Sequence, residues 1–211
     1  MKYILMCGGV YSKWAVPRQM VRIGQERVIE RTIRLLRENG VTDIAISTNN
    51  PIFKIFGLPL LKHMNNYSPS SEYEDCHYWC EAFYPTDEPT CYIFGDVVFS
   101  PEAIKKIVKT KTKDIQFFAS APPFAENYQK PWAEPFALKV VNTDRFKECI
   151  NECKRLQDEG AFKRNPIMWE LWQIIKGTEY NVIDYTNYCV INDYTCDVDD
   201  PKDIGMFSFL N

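Results

Sequence analysis

Long hydrophobic runs are missing from this 211-residue chain, and none approaches the roughly 18 residues of a bilayer-spanning helix. Membrane insertion is therefore not expected. Met1-Lys2 leads into only four apolar residues, too few for a secretory signal, so the opening reads as a strand. Charge of one sign is missing too. A net charge of −3, with no block of like charges, gives no reason to expect a nucleic-acid partner. Histidine is scarce: His63 and His77 are the only two, which suits chemistry that needs no imidazole base. No C-x-x-C pair occurs among the eight cysteines. Cys76/Cys80 and Cys149/Cys153 are each four apart, and His77 beside Cys76 makes a metal site conceivable, but free thiols in a reducing cytoplasm are the simpler reading. Repeats, low-complexity segments and clear domain boundaries are absent, so residues 1–211 are expected to form one domain.

What is present concentrates in the first thirty residues. Tyr3-Ile4-Leu5-Met6 runs into Cys7-Gly8-Gly9, followed by Lys13, Arg18 and a helical pattern from Val28. An apolar run ending in paired glycines reads as a buried strand feeding a turn. There the backbone N–H groups of Gly8, Gly9 and Val10 are free of side-chain cover and can close on an anion. Lys13 and Arg18 on the same loop suit a triphosphate better than a neutral ligand. The loop is neither G-x-x-x-x-G-K-[ST] nor G-x-G-x-x-G, so a P-loop or dinucleotide fold is poorly supported.

Farther along, strand and helix signals alternate, which argues for a mainly parallel sheet covered by helices. Strands are expected at 2–7, 43–48, 92–94, 115–121, 136–141, 181–185 and 188–191. Helices are expected at 27–39, about 72–83, 101–108, from a cap at Thr143 or Asp144, and at 166–176. Residues 122–135 hold four prolines, a phenylalanine, a tyrosine and a tryptophan, too many breakers for a core element and too many aromatics for a plain linker. Trp169 and Trp172, three apart on a helix, read as core first and as pocket wall second.

Two acidic segments stand out. Asp96 directly follows the 92–94 strand, at the carboxyl edge where α/β sheets bind ligands. It either caps the turn into the next helix or faces phosphates through a divalent cation such as Mg²⁺. In Asp197-Val198-Asp199-Asp200-Pro201-Lys202-Asp203, alternation puts Asp197 and Asp199 on one side of an extended segment, where both can approach one cation. Asp200 and Asp203 are explained by a helix start at Pro201.

Taken in order, L-M-C-G-G-x-Y-x-K-W, P-R-Q-M-x-x-I-G, V-I-E-R-T-I, G-D-V-V-F and D-V-D-D-P-K-D-I resemble the nucleotidyltransferases of the GT-A-like nucleotide-diphospho-sugar transferase superfamily. The resemblance spans residue 2 to about 205. It implies a three-layer α/β/α, Rossmann-like fold with a mostly parallel mixed sheet. It also implies a cytoplasmic, Mg²⁺-dependent enzyme joining an NTP, CTP foremost, to a phosphorylated sugar, polyol or small alcohol for cell-surface polysaccharide synthesis, and it leaves room for a homodimer. By the same resemblance Met6, Cys7, Gly8, Gly9, Val10 and Tyr11 wrap the nucleotide, while Lys13 and Arg18 face its phosphates. Asp96 and Asp199 are the Mg²⁺ ligands, with Asp197 as helper. Arg18 stands where the family usually has lysine, and Met6-Cys7 where it has two alanines. The family's second nucleotide loop is not recognisable in 64–80, where Asp75 is the nearest candidate for a contact to the base. For the acceptor, Trp132, Glu134 and Trp169 are the candidates, on segments within about 122–180. A glycosyltransferase using a nucleotide sugar, or a catalytically degenerate nucleotide-binding member, are the alternatives.

Overall fold

The computed structural model describes residues 1–9, 14–62, 78–122 and 130–210. Strand β1, Lys2–Met6, lies near the middle of a sheet, and β2 (Arg22–Ile23) and β3 (Glu26–Arg27) pair antiparallel as a separate two-stranded hairpin. Around β1 pair β4 (Ile44–Ser47), β5 (Leu60–Leu61), β6 (Thr90–Phe94), β8 (Ile115–Ser120), β9 (Pro135–Val140) and β10 (Cys189–Ile191). The order of these seven strands is β10-β8-β9-β6-β1-β4-β5. Only β9 runs against its neighbours, pairing antiparallel with β6 and β8. The remaining pairs are parallel.

Both faces of the sheet are apolar because helices cover both. Tyr3, Leu5, Cys91 and Ile93 pack with Ile29, Ile33 and Leu36 of α1 (Val28–Glu38) and Ile104 and Ile107 of α2 (Pro101–Lys109). The alternate residues Ile4 and Tyr92 pack with Phe146 and Cys153 of α3 (Thr143–Asp158) and Trp169 and Trp172 of α4 (Met168–Lys176). The result is the expected three-layer α/β/α architecture with a mostly parallel mixed sheet. Among the described residues no helix is long and apolar enough to cross a membrane.

Three local expectations need correction. Residues 181–185 form no strand, because their polar groups serve α4: the Asp184 N–H donates to Gln173 Oε1 at 3.3 Å and Lys176 Nζ donates to the Asp184 carbonyl at 2.9 Å. The helix α3 is capped one residue earlier than expected, by Asn142, whose Oδ1 accepts the Arg145 N–H at 3.2 Å. Most of the helix expected near 72–83 lies outside the described residues; what is described there is a 3₁₀ turn, Trp79–Ala82. Pro85 restricts the backbone just after it, and Phe83 leaves the turn to pack edge-on against Tyr92 and Phe146.

The element that matters most for the site is small. After β6 the chain turns at Gly95-Asp96 into β7, Val97–Val98, which pairs antiparallel with β11, Cys196–Asp197. Val198 N–H extends that pairing onto the Asp96 carbonyl at 3.0 Å. Gly95 N–H also bonds the Met6 carbonyl at 3.1 Å, so the ends of β1 and β6 touch. A Cβ on residue 95 would lie 2.5 Å from the Met6 oxygen and 2.6 Å from Cys7 Sγ. Gly95→Ala is therefore expected to cost about 2 kcal/mol of stability through overpacking against fixed backbone, read from the urea midpoint at unchanged m-value.

Candidate active site

Arg18 anchors the site. It sits in a 3₁₀ turn, Arg18–Met20, set by Pro17, and its side chain is buried beneath the β7–β11 ribbon. Its planar fork spans two carboxylates from distant segments: Nη2 meets Asp96 Oδ2 at 2.5 Å, and Nη1 meets Asp199 Oδ1. Nη1 also donates to the Val198 carbonyl at 3.3 Å. Trp14 Nε1 holds the Asp199 carbonyl at 3.1 Å. Ribbon pairing thus places Asp96 and Asp199 side by side, and one arginine bridges them.

A second cation, which sequence reasoning missed, completes the cluster. Lys130 Nζ lies 2.8 Å from Asp197 Oδ1, 2.6 Å from Asp199 Oδ2 and 3.2 Å from Asp203 Oδ2. Asp203 is held in turn by the N–H groups of Asp199 and Asp200, both at 3.0 Å. It therefore serves as helix cap and cation partner together. The signal for Lys130 was a lone lysine between glutamine and proline in the aromatic loop, and no spacing rule singles that out.

The segment carrying Lys130 is braced from behind. Glu134 exchanges backbone bonds with the end of β8, its N–H reaching Ser120 Oγ at 2.8 Å and its carbonyl the Ser120 N–H at 2.9 Å. Trp169 Nε1 donates to the Ala133 carbonyl at 3.0 Å. Trp169 is itself 2% exposed and enclosed by Phe117, Tyr185 and Tyr188. Its placement as an acceptor contact is thereby corrected: the indole belongs to the core and positions the loop. Trp132 is 53% exposed, with Lys130 Nζ 5.7 Å from its ring centre and its Nε1 on the Glu134 carboxyl.

Burial sets the protonation of these acids. It pushes Glu134 up to about 9, helped by the neighbouring Asp197 charge. Burial likewise raises Asp197 to about 7, with Asp199 and Asp96 adding repulsion. For Asp199 burial is outweighed by Lys130 and Arg18, which hold it below the usual carboxylate range. Burial also opposes the charge on Lys130, yet Asp197 and Asp199 keep its ammonium above the ordinary lysine value.

Of the residues singled out in sequence, Met6 ends β1 and is followed by Cys7, Gly8 and Gly9, with Met6 and Cys7 lying against Gly95 beside Asp96. Cys7 is 2% exposed, and its thiol is raised well above normal by burial and then by Asp96. Asp96, Asp197, Asp199, Arg18, Trp132 and Glu134 converge with it. Val10, Tyr11, Lys13 and Asp75 lie outside the described residues.

The described acids form a hard-oxygen donor set. Glu134, Asp197 and Asp199 each offer an oxygen within 4.8 Å of the others. Two cations, Arg18 and Lys130, face the four carboxylates of Asp96, Asp197, Asp199 and Asp203. This negative excess and this ligand chemistry fit a divalent cation of the Mg²⁺ type.

No protein-family model matches the chain, and no curated protein matches it in sequence. Solved structures do match. A protein from Bacillus anthracis described as a glucose-1-phosphate thymidylyltransferase superposes with a TM-score of 0.60 at 13% identity, over 99% of this chain and 94% of that one. The inositol-1-phosphate CTP transferase from T. maritima gives 0.57 at 12% identity, over 98% and 94%. A CTP:phosphocholine cytidylyltransferase from Streptococcus pneumoniae gives 0.50 at 14% identity, over 99% and 98%. The chain has a nucleotidyltransferase-type fold. The likeness covers 98–99% of this chain.

Proposed function

We propose that this protein is an Mg²⁺-dependent nucleotidyltransferase that joins an NTP, CTP foremost, to a phosphorylated sugar, polyol or small alcohol, releasing pyrophosphate. The observation that carries the reading is the Arg18–Asp96–Asp199–Lys130 array at the carboxyl edge of the sheet, beside the Cys7–Gly9 turn. The named activities of neighbours sharing the fold support the reaction class, and two of the three cited use CTP.

In such a transfer a phosphate oxygen of the acceptor attacks the α-phosphorus, and pyrophosphate carries the bonding pair away. The protein's work is alignment of two anions and stabilisation of the charge between them. Gly8 and Gly9, with Val10, Tyr11 and Lys13, cradle the nucleotide, and Asp75 is the proposed contact to the base. Arg18 donates to the reacting phosphate while keeping Asp96 and Asp199 in register. Lys130 extends from the acceptor side and steadies the incoming phosphate dianion. Asp96, Asp197 and Asp199 would hold Mg²⁺, which when bound neutralises phosphate charge as a Lewis acid. Glu134, neutral below about 9, adds little repulsion.

The exposed Trp132 ring offers the acceptor an apolar face beside Lys130. Trp132→Ala is expected to raise the acceptor KM about tenfold, the loss of roughly 1.4 kcal/mol of stacking, with the NTP KM unchanged. The reading itself is tested by pyrophosphate release from CTP, UTP, GTP, ATP and dTTP against pooled phosphomonoesters with Mg²⁺. CTP-dependent release supports it. Sugar transfer from a nucleotide sugar without pyrophosphate, or tight nucleotide binding with no turnover on any pairing, would overturn it.

A further inference from the structure

The edge of the sheet opposite the carboxylate cluster carries a strip of lysines. Strand register defines that edge: Ile115 of β8 pairs with Val140, Val140 with Thr90, and Thr90 with Lys2 at the start of β1. Helix α2 ends there and leads into Ile115 through residues 110–114. Lys105, Lys106, Lys109, Lys111 and Lys113 are all exposed. From 109 to 113 exposure alternates, with Lys109, Lys111 and Lys113 outward and Thr110 and Thr112 half-buried. Lys109 ends α2, Lys111 and Lys113 follow in the irregular stretch before β8, and Lys105 and Lys109 share a helix face.

Nothing described neutralises this strip. None of the five lysines makes an ion pair among the described residues; Lys106 reaches only the Val190 carbonyl at 2.6 Å. Of the nearby acids, Asp114 pairs with Arg145 and Glu88 with Lys2, and Glu102 in the first turn of α2 makes no ion pair with Lys105 or Lys106. The strip is also rigidly built. Buried Lys139 sends its ammonium into the C-terminal end of α2, bonding the Ile107 and Thr110 carbonyls, both at 2.7 Å. A hollow of about 600 Å³ opens beside it, lined by Tyr3, Val108, Lys111, Lys113 and Lys139. Such a concentration of unpaired positive charge on a chain of net charge −3 calls for an anionic partner.

We propose that this strip docks the protein electrostatically on a bilayer carrying anionic lipids, leaving the carboxylate-rich site at the far edge facing solution. The composition favours a charged surface over a nucleic acid. Every cation is lysine, a hydrated point charge on a flexible stem. The strip has no arginine fork for bidentate phosphate recognition and no exposed aromatic for base stacking. Clusters of four to eight basic residues are what anionic headgroups attract, at about a fivefold gain in binding per lysine.

The test is co-sedimentation of the full chain with phosphatidylcholine vesicles and with mixed phosphatidylcholine–phosphatidylglycerol vesicles, over rising salt. The protein is expected to pellet with the anionic vesicles alone and to be released by salt. Combined Lys109→Gln, Lys111→Gln and Lys113→Gln should weaken this by roughly 100-fold, whereas the three Lys→Arg changes, and neutralisation of Lys54, Lys62 and Lys163 elsewhere on the surface, should not. All are exposed positions, so thermal melting should stay within a degree or so of the parent. Equal pelleting with both vesicle types, a triple glutamine variant that binds like the parent, or a strip that binds duplex RNA but not anionic vesicles would overturn the proposal.

Discussion

Arg18→Ala is expected to lower pyrophosphate release by roughly a thousandfold, the scale at which loss of a preorganised charge donor acts on a transition state. The geometry explains why the effect should exceed that of an ordinary surface cation. Arg18 is 5% exposed and holds two carboxylates, one from the middle of the sequence and one from near its end. Removing it withdraws the proposed donor to phosphate and lets Asp96 and Asp199 repel each other. Arg18→Lys is the informative companion, since an ammonium can satisfy one of the two carboxylates but lacks the fork to hold both. It should retain measurable turnover, about 10- to 100-fold below the parent, consistent with lost alignment rather than lost charge. Steady-state assays on variants whose circular dichroism matches the parent decide the matter. An Arg18→Ala protein within tenfold of the parent would contradict the assigned site.

Lys130→Met should be the most destabilising single change in the site. It leaves Asp197, Asp199 and Asp203 facing one another without the ammonium that now touches all three. Breaking a buried pair on one side costs about 3–5 kcal/mol, or roughly 10 °C in Tm for a domain of this size. The loss depends on pH with a definite sign. Asp197 rises from an ordinary 3.8 to about 7 in the folded protein, so folding takes up a proton between those values. Its burden on stability is absent below the lower value, grows through the window and is complete above the upper one. Without Lys130 that burden becomes heavier, so the Tm deficit should be largest near pH 8 and shrink toward about pH 5. It should not vanish there, because in the parent Lys130 and Arg18 hold Asp199 below the usual carboxylate range, and the variant loses the Lys130 share of that stabilisation. Mg²⁺ should raise the Tm of Lys130→Met more than that of the parent, by mass action on a site that has lost its own cation. A pH-independent deficit, or equal Mg²⁺ shifts in both proteins, would contradict this account of the cluster.

The fold was largely legible in the sequence because it rests on periodic patterns. The continuous apolar run Tyr3-Ile4-Leu5-Met6 and helical spacing in Val28, Ile29, Ile33 and Leu36 report local burial, and burial is what places those segments. The acidic segments were legible for a related reason. Asp96 follows a strand, and Asp197 and Asp199 alternate on an extended run that proves to be one side of the β7–β11 ribbon. The misses are long-range. Lys130 meets Asp199 across 69 residues of sequence, and no local pattern records that contact. Residues 181–185 have the composition of a strand, yet their hydrogen bonds go to the flank of α4. Trp169 was weighed as both wall and core, and only its 2% exposure decides for the core. The lysines from 105 to 113 are close together in the sequence, and the end of α2 and the stretch leading into β8 leave all five exposed.

The ribbon between β7 and β11 has a temporal consequence. Arg18 and Asp199 are separated by 181 positions, so a nascent chain leaving the ribosome has its glycine turn long before it has its last acids. Closing so wide a loop is slow and entropically costly, and it is repaid only once the sheet beneath is already assembled. An incomplete or half-folded chain therefore lacks the Arg18–Asp96–Asp199 array, and that array becomes a marker that folding has finished.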